Sequence, residues 1–386
     1  MERHIYIIMH NDLMHYPTMI SLIDILKDLG HRVTYIGEFS ESPTTTRFRK
    51  EGVELIQLGY NRIGSQLNRY LVQRKYKKRL SAKLRSIKMR ENDLIWYVYS
   101  DSATFIHKLL AQYKYVVHFY EFTRMTYSWK FKLLYPSFSQ PELCKKAVGV
   151  IHCQYDRAQI YKGLAGLSRT PYVLPNKMYE SSSEADKISI PNSIKEQIES
   201  IKKKIGDRKV ILYQGVFESK ERKLDEFCQA ISLMSDDYML IAMGRGDESY
   251  IQLKEKYESD RILFIPFIIP PFHLEVTKLA SVGVLSYSTN APTINGVINP
   301  MYCAPNKIFE YSKFSIPMIS NDIPGLKRIF EQYHCGRVVT DPITPDKICV
   351  ELNELFSNIE EYRYGSFEYY NSVDTFEIVK SILAEI

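Results

Sequence analysis

The sequence predicts an α/β protein of two domains, the first built on a parallel sheet. Three observations carry this. The chain has 386 residues, too many for one ordinary core and about right for two domains of average size. Near the start, Ile5 to Met9 is an apolar run. Pro17 to Leu29 then carries Met19, Ile20, Ile23, Leu26 and Leu29 at helical spacing, Gly30 stops it, and His31 to Gly37 reads as a second strand. Strand, helix, glycine stop and strand make a βαβ unit, which requires a parallel pair. A further buried strand opens at Lys209, after a polar stretch from Ser181 to Lys204 that reads as a linker and an exposed helix.

Composition narrows the class. With 45% hydrophobic and 25% charged residues the chain reads as globular and soluble. No apolar run approaches ~18–20 residues, so no transmembrane helix is expected, and the N-terminus has no signal-peptide pattern. The six cysteines are scattered without a C-x-x-C pair, which argues against a zinc site or disulfide framework and suits a reducing cytosol. The nine histidines include no H-E-x-x-H, and there is no D-x-D triplet, so no metal is expected. The first turn lacks G-x-G-x-x-G, which counts against a nicotinamide dehydrogenase.

The net charge of +6 is modest, but its placement is uneven. No Asp or Glu occurs between Asn61 and Arg90, while Lys and Arg recur from Arg62 to Arg90. Tyr70, Leu71, Leu80, Leu84 and Ile87 lie among them at roughly helical spacing. This basic amphipathic segment, residues 62–90, reads as a contact for an anionic membrane surface or another polyanion.

Further along, Val53 to Leu58, Asp93 to Tyr99 and Tyr115 to Tyr120 are strands, with a helix through Leu110 between the last two. In such sheets ligands sit outside the carboxyl ends of the strands. Asp101, His118 and Glu121 fall at or near those ends, and any of them is a candidate base for a hydroxyl proton. His10, Asn11 and Asp12 follow the first strand as a loop. Lys130 to Ser139 is aromatic and basic, a ligand-facing or interfacial loop or else core plus a turn. A strand lies within Lys145 to Cys153. In the second half, Tyr238 to Met243 and Val282 to Tyr287 are strands, Arg261 to Phe267 is a strand and turn, and Phe272 to Ala280 is a helix. Ser288 to Ala304 reads as a long loop, and Met301 to Leu326 as a loop, a short helix with Pro305 in its first turn, a strand at Ile316 to Ser320, and a second helix start. The amides of Asn306 and Lys307 make that helix start an anion site, and Glu310 lies on the face shared with Asn306. Arg337 to Val339 is a short strand, Pro345 to Ile359 a helix, and Val373 to Ile386 is amphipathic.

The segment Pro305-Asn306-Lys307-Ile308-Phe309-Glu310-Tyr311, with Ile316-Pro317-Met318-Ile319-Ser320 and Asp322-Ile323-Pro324-Gly325, resembles the donor-site signature of GT-B glycosyltransferases. The likeness is to glycosyltransferase family 4 and the bacterial polysaccharide enzymes near it. Weaker matches keep the family's order: Val173 to Asn176, Arg222, Gly244 to Gly246 and Phe267. The resemblance implies two Rossmann-like, doubly wound domains facing a central cleft. It implies an acceptor domain at 1–180, with His10, Asn11 and Asp12 as acceptor-binding candidates in its first loop, a linker at 181–205, a nucleotide-sugar domain at 206–370, and a helix at 371–386 crossing back to the first domain.

It also implies donor contacts. Glu310 would hold the ribose, Arg222 and Lys223 the diphosphate, Gly215, Gly244, Asn306 and Lys307 the surrounding backbone, and Phe267 or Ile268 the base. Tyr302 stands where the family often has a second Glu near the donor sugar. The implied activity is metal-independent transfer of a sugar, without cofactor, from a nucleotide-sugar expected to be UDP-linked. The acceptor would be a hydroxyl of a lipid-linked or other saccharide in cell-surface polysaccharide synthesis. The place would be the inner face of the cell membrane, with no nucleic-acid partner. A UDP-sugar 2-epimerase-like enzyme and a non-catalytic membrane-associated relative are the alternatives.

Overall fold

The computed structural model describes residues 2–60, 66–181, 189–217, 224–246 and 248–386. The chain divides into two compact units, Met1–Asp186 with Thr375–Ile386, and Lys187–Asp374.

The first unit holds strands β1 (His4–Asp12), β2 (Arg32–Glu38), β3 (Glu54–Ile56), β4 (Leu94–Val98), β5 (Tyr115–Phe119), β6 (Gly149–His152) and β7 (Tyr172–Val173). Its helices are α1 (Pro17–Asp28), α2 (Pro43–Lys50), α3 (Gln66–Ser86), α4 (Ala103–Leu110), α5 (Trp129–Leu134), α6 (Gln140–Lys146) and α7 (Tyr155–Ala165). Among the described residues these strands form a seven-stranded parallel sheet in the order β3-β2-β1-β4-β5-β6-β7. Helices cover both faces of such a sheet, so its strands bury both sets of side chains and read as unbroken apolar runs. β4 and β5 are buried along their whole length. The turn chemistry is local: Gly30 takes φ +79° after α1, and Ser42 caps α2 reciprocally with Thr45.

The second unit holds β8 (Lys209–Phe217), β9 (Tyr238–Gly246), β10 (Ile262–Pro266), β11 (Val282–Leu285), β12 (Met318–Asn321) and β13 (Gly336–Val339). Its helices are α8 (Asn192–Ile205), α9 (Asp225–Leu233), α10 (Glu248–Tyr257), α11 (Leu274–Thr277), α12 (Ile294–Met301), α13 (Asn306–Lys313), α14 (Pro324–Tyr333), α15 (Pro345–Ser357) and α16 (Ile359–Asn371). The sheet is six-stranded and parallel, ordered β10-β9-β8-β11-β12-β13. Alternation along β8 feeds two cores: Val210 and Leu212 join one, Ile211 and Tyr213 the other. Helix α17 (Thr375–Glu385) belongs to the first unit and packs Val379, Ile382 and Leu383 into its core.

Several elements depart from the sequence reading. The polar stretch 181–205 contains α8, whose Ile198, Ile201 and Ile205 are buried in the second unit's core. The sequence reads it as an exposed helix, because a sparse apolar stripe on a Lys/Glu-rich background hides the buried face. The stretch 288–304 is not loop throughout, because α12 occupies its second half with Thr293 as N-cap. Pro305 is the cap before α13 rather than its first-turn residue, and the next strand starts at Met318. Lys130 to Ser139 includes most of α5.

The first sheet also buries two histidines. His118 on β5 and His152 on β6 are 2% and 0% exposed, and burial pushes both rings down to about 3. Both are neutral in the fold, whereas unfolded histidine titrates near 6.5. Below that pH the unfolded chain binds protons the fold cannot, so stability falls with falling pH between about 6.5 and 3. Each ring contributes about 1.4 kcal/mol per pH unit over that window. We expect Tm to drop from pH 7 to pH 5, and His152→Phe, which keeps the stack on Phe119, to flatten the drop. An equally steep profile in the variant would contradict this assignment.

Candidate active site

Both sheets reverse their winding beside the first strand of the unit, β1 next to β4 and β8 next to β11. Ligands of open α/β sheets bind at the carboxyl ends of strands at such points. The second unit places a polar cluster there.

Glu310 sits on the second turn of α13, and its neighbours on that helix fix it. Tyr311 is fully buried against β11, where only Gly283 leaves room: a Cβ there would overlap the tyrosine ring. Its hydroxyl donates to the Leu212 carbonyl at 3.0 Å. On the other side Phe309 stacks on Tyr369 of α16, with centroids 5.3 Å apart. Held between sheet and helix, α13 brings the Glu310 carboxylate to the end of β8. There one oxygen accepts from Gln214 Nε2 at 2.5 Å, and the other lies 3.3 Å from His273 Nε2. Gln214 is itself oriented by Thr277, whose hydroxyl donates to its Oε1 at 2.8 Å. The Glu310 side chain keeps 18% exposure. A carboxylate fixed at both oxygens still has lone pairs for two adjacent hydroxyls.

A cationic and glycine-lined surface lies beside it. Gly215 and Gly244 pair across β8 and β9 with φ of +137° and +157°. A Cβ on Gly215 would meet the ammonium end of Lys307. The Lys307 ammonium also lies 4.5 Å from the Tyr213 ring centroid. Asn306 and Lys307 open α13 behind Pro305, which supplies no side-chain cap, so helix dipole and ammonium charge favour an anion on the same side. Phe267, 46% exposed, lies under the Arg245 guanidinium at 5.3 Å. Ile268, the other residue expected beside a base, is 4% exposed and belongs to the core. Tyr302 is half-buried at the end of α12, where Gly325 lets the start of α14 approach its backbone. Arg222 and Lys223 lie outside the described residues.

In the first unit, Asp101 follows β4 and Glu121 follows β5, both with exposed side chains. His118 corrects the sequence reading. Its Nδ1 accepts from Trp96 Nε1 at 3.2 Å, so the neutral ring carries its proton on Nε2. The cavity beside it, shared with Ser21, Tyr120 and Asn176, holds about 10 Å³, room for about one water. A ring so buried and so weakly basic serves the core, not a hydroxyl proton.

His10 is 9% exposed and packs edge-on to Tyr60. The Asn11 amide donates to the Tyr16 hydroxyl at 2.5 Å. Asp12 caps the turn after β1, accepting from the Met14 amide at 2.9 Å and from both the amide and hydroxyl of Ser40. Burial works against its charge, yet these bonds outweigh it and hold the carboxyl below the usual carboxylate range. Its oxygens therefore fasten β1 to the Ser40 loop.

Gln214, His273 and Thr277 are the site residues that sequence reasoning missed. The one signal was a glutamine closing the apolar run Val210 to Tyr213. A hollow of about 230 Å³ elsewhere in this unit, lined by Lys327, His334 and Gly336, is structural, because its Arg337 is held by Glu351 at 2.5 Å and Tyr362 at 3.1 Å. Among the described residues no cluster of His, Cys, Asp and Glu fits a metal ion.

No protein-family model and no curated protein sequence matches this chain. Solved structures do. Anabaena HepE (Alr3699), in complex with UDP and glucose, superposes with a TM-score of 0.66 at 14% identity, covering 99% of this chain and 98% of that one. Sucrose-phosphate synthase from Thermosynechococcus elongatus gives 0.64 at 12% identity, over 99% and 95% of the two chains. Trehalose 6-phosphate synthase from Burkholderia multivorans gives 0.64 at 12% identity, over 100% and 98%. The chain has the GT-B fold.

Proposed function

We propose that this protein is a glycosyltransferase that takes a UDP-linked sugar in its second unit and transfers the sugar to a saccharide hydroxyl. The observation that carries the reading is Glu310, clamped by Gln214 and His273 beside the Lys307 and Gly215–Gly244 surface. Glu310 accepts from the ribose diol, and Lys307 with the α13 amides faces the diphosphate. Phe267 flanks the base. Charge on the leaving diphosphate is met by these fixed donors and by Arg222 and Lys223, without a metal. Support comes from Anabaena HepE, a solved structure of the same fold that holds UDP in one complex and UDP-glucose in another.

Glu121 and Asp101 are the proposed bases for the acceptor hydroxyl, with His10 and Asn11 near the acceptor. The acceptor is proposed to be lipid-linked, in cell-surface polysaccharide synthesis at the cytoplasmic face of the membrane, which the basic helix α3 favours. The deciding experiment is a binding screen of nucleoside diphosphates and their sugars, followed by turnover with lipid-linked saccharides. UDP and a UDP-sugar are expected to raise Tm, and the UDP-sugar to be consumed, with release of UDP, only when acceptor is present. Silence across the whole nucleotide panel would remove the proposal, and free sugar released without acceptor would redirect it to hydrolysis or epimerisation.

A further inference from the structure

Helix α3 does not offer lipid the apolar stripe its sequence suggested. Tyr76, Leu80 and Leu84 are 0% exposed and face the core of their own unit, so what α3 turns outward is mainly charge: Arg74, Lys75, Lys77, Lys78 and Arg85. Charge alone holds a protein loosely and reversibly at a membrane, and firm docking needs apolar area as well. That area lies next door. Helix α5 is capped by Ser128, whose hydroxyl accepts from the Phe131 amide. Phe131 stacks on Tyr127 at 4.3 Å and packs towards Phe138, which anchors one side of the helix. The other side shows Trp129, Leu133 and Leu134, which are 71%, 74% and 66% exposed.

Three such side chains on one helix of six residues are not solvent-adapted, and Lys130 and Lys132 between them are exposed. The two helices are tied together. Tyr135, just past α5, donates to the side chain of Gln73 on α3 at 3.1 Å. Tyr70 and Lys77 share that side of α3 with Gln73, and Tyr70 and Leu71 are 44% and 46% exposed. Neither component contains an acid: none occurs from 61 to 90 or from 122 to 141.

We infer that α5 is a bilayer-insertion element and that α5 with residues 70–78 of α3 forms one docking face for an anionic lipid leaflet. Trp129, Leu133 and Leu134 enter the boundary between headgroups and acyl chains, and Lys75, Lys77, Lys78, Lys130 and Lys132 meet the lipid phosphates. Two acid-free basic segments converging on an apolar patch fit an anionic bilayer, where an exposed apolar side chain gains from leaving water and each ammonium gains from the surface potential. The inference does not depend on the donor site, which lies in the other unit.

The chain carries its own probe. It has two tryptophans, and Trp96 is fully buried, so a lipid-dependent change in emission reports on Trp129. With phosphatidylglycerol vesicles the emission is expected to shift to the blue and to be quenched by bromine on the acyl chains. Pure phosphatidylcholine should do neither. Leu133→Asp with Leu134→Asp should lower vesicle partitioning about tenfold or more. Neutralising Lys75, Lys77 and Lys78 to Gln should weaken binding and its dependence on salt. Unchanged Tm in these variants keeps the reading free of misfolding, and UDP binding measured in parallel keeps it separate from the donor proposal. Vesicle binding without acyl-chain quenching overturns insertion. So does a concentration-dependent dimer that the Leu133/Leu134 variant abolishes, because the face would then belong to a second copy.

Discussion

Glu310→Ala is expected to weaken donor-nucleotide binding by about ten- to a hundredfold. A hydrogen bond to a charged group is worth roughly 1.5–3 kcal/mol, and each 1.4 kcal/mol is about a factor of ten. The substitution also strips Gln214 Nε2 and His273 Nε2 of their shared acceptor, so stability should fall by about 1–3 kcal/mol as well. Glu310→Gln separates the two effects. Its amide keeps the shape, and one oxygen still accepts from Gln214, while His273 can take the tautomer that accepts on Nε2. That variant should fold like the parent and still bind poorly, because it has lost the charge and one acceptor. The loss should be equal for UDP and UMP, which share the ribose. A loss confined to UDP would move Glu310 to the diphosphate, and unchanged affinity for both would take it out of the nucleoside site. Titration calorimetry with the two nucleotides decides among these.

The strands were legible in the sequence because a doubly covered parallel sheet demands unbroken apolar runs, and Ile5–Met9, Leu94–Val98 and Val210–Tyr213 are such runs. Helices with weak or interrupted patterns were not. Helix α2 buries only Thr45 and Phe48 of eight residues, and α8 reads as exposed because the face it buries is only three isoleucines of fourteen residues. Helix α12 has no buried residue and carries Pro300 within it. Glu310 was legible because a short motif marks it. The side chains that hold it were not, since Gln214 stands 96 positions away and reaches Glu310 only through the fold. Counting residues puts His118 near a strand end, and it does stand second from last in β5, but the ring is buried and Trp96 covers it. Burial on both faces, not position along the strand, decides whether a histidine can titrate. The same holds for α3: spacing shows that an apolar stripe exists, but not whether core or lipid takes it, and Leu80 and Leu84 go to the core.

The largest loss of stability is expected at Gly244. Its φ of +157° lies where L side chains rarely go, and a Cβ there would overlap the carbonyl oxygen of Gly215, its partner across the ladder. That oxygen belongs to the backbone of a central strand and has nowhere to move. Gly244→Ala should therefore cost about 3 kcal/mol or more, combining backbone strain with overpacking. At a few degrees per kcal/mol this lowers Tm by about 10 °C. Gly215→Ala makes a useful contrast. It is strained too, at φ +137°, but its Cβ meets the mobile end of Lys307. Lysine can swing away, so the clash is relieved by displacing a cation rather than a strand. Gly215→Ala should then lose less Tm than Gly244→Ala and lose more diphosphate affinity than its stability loss accounts for. Adding Lys307→Ala should restore part of its Tm and none of its affinity. Calorimetric melting of the three variants tests the ordering. A Gly244→Ala protein that melts with the parent would show that the two strand ends can part, and that the glycine pair is not what holds the surface beside Glu310 in shape.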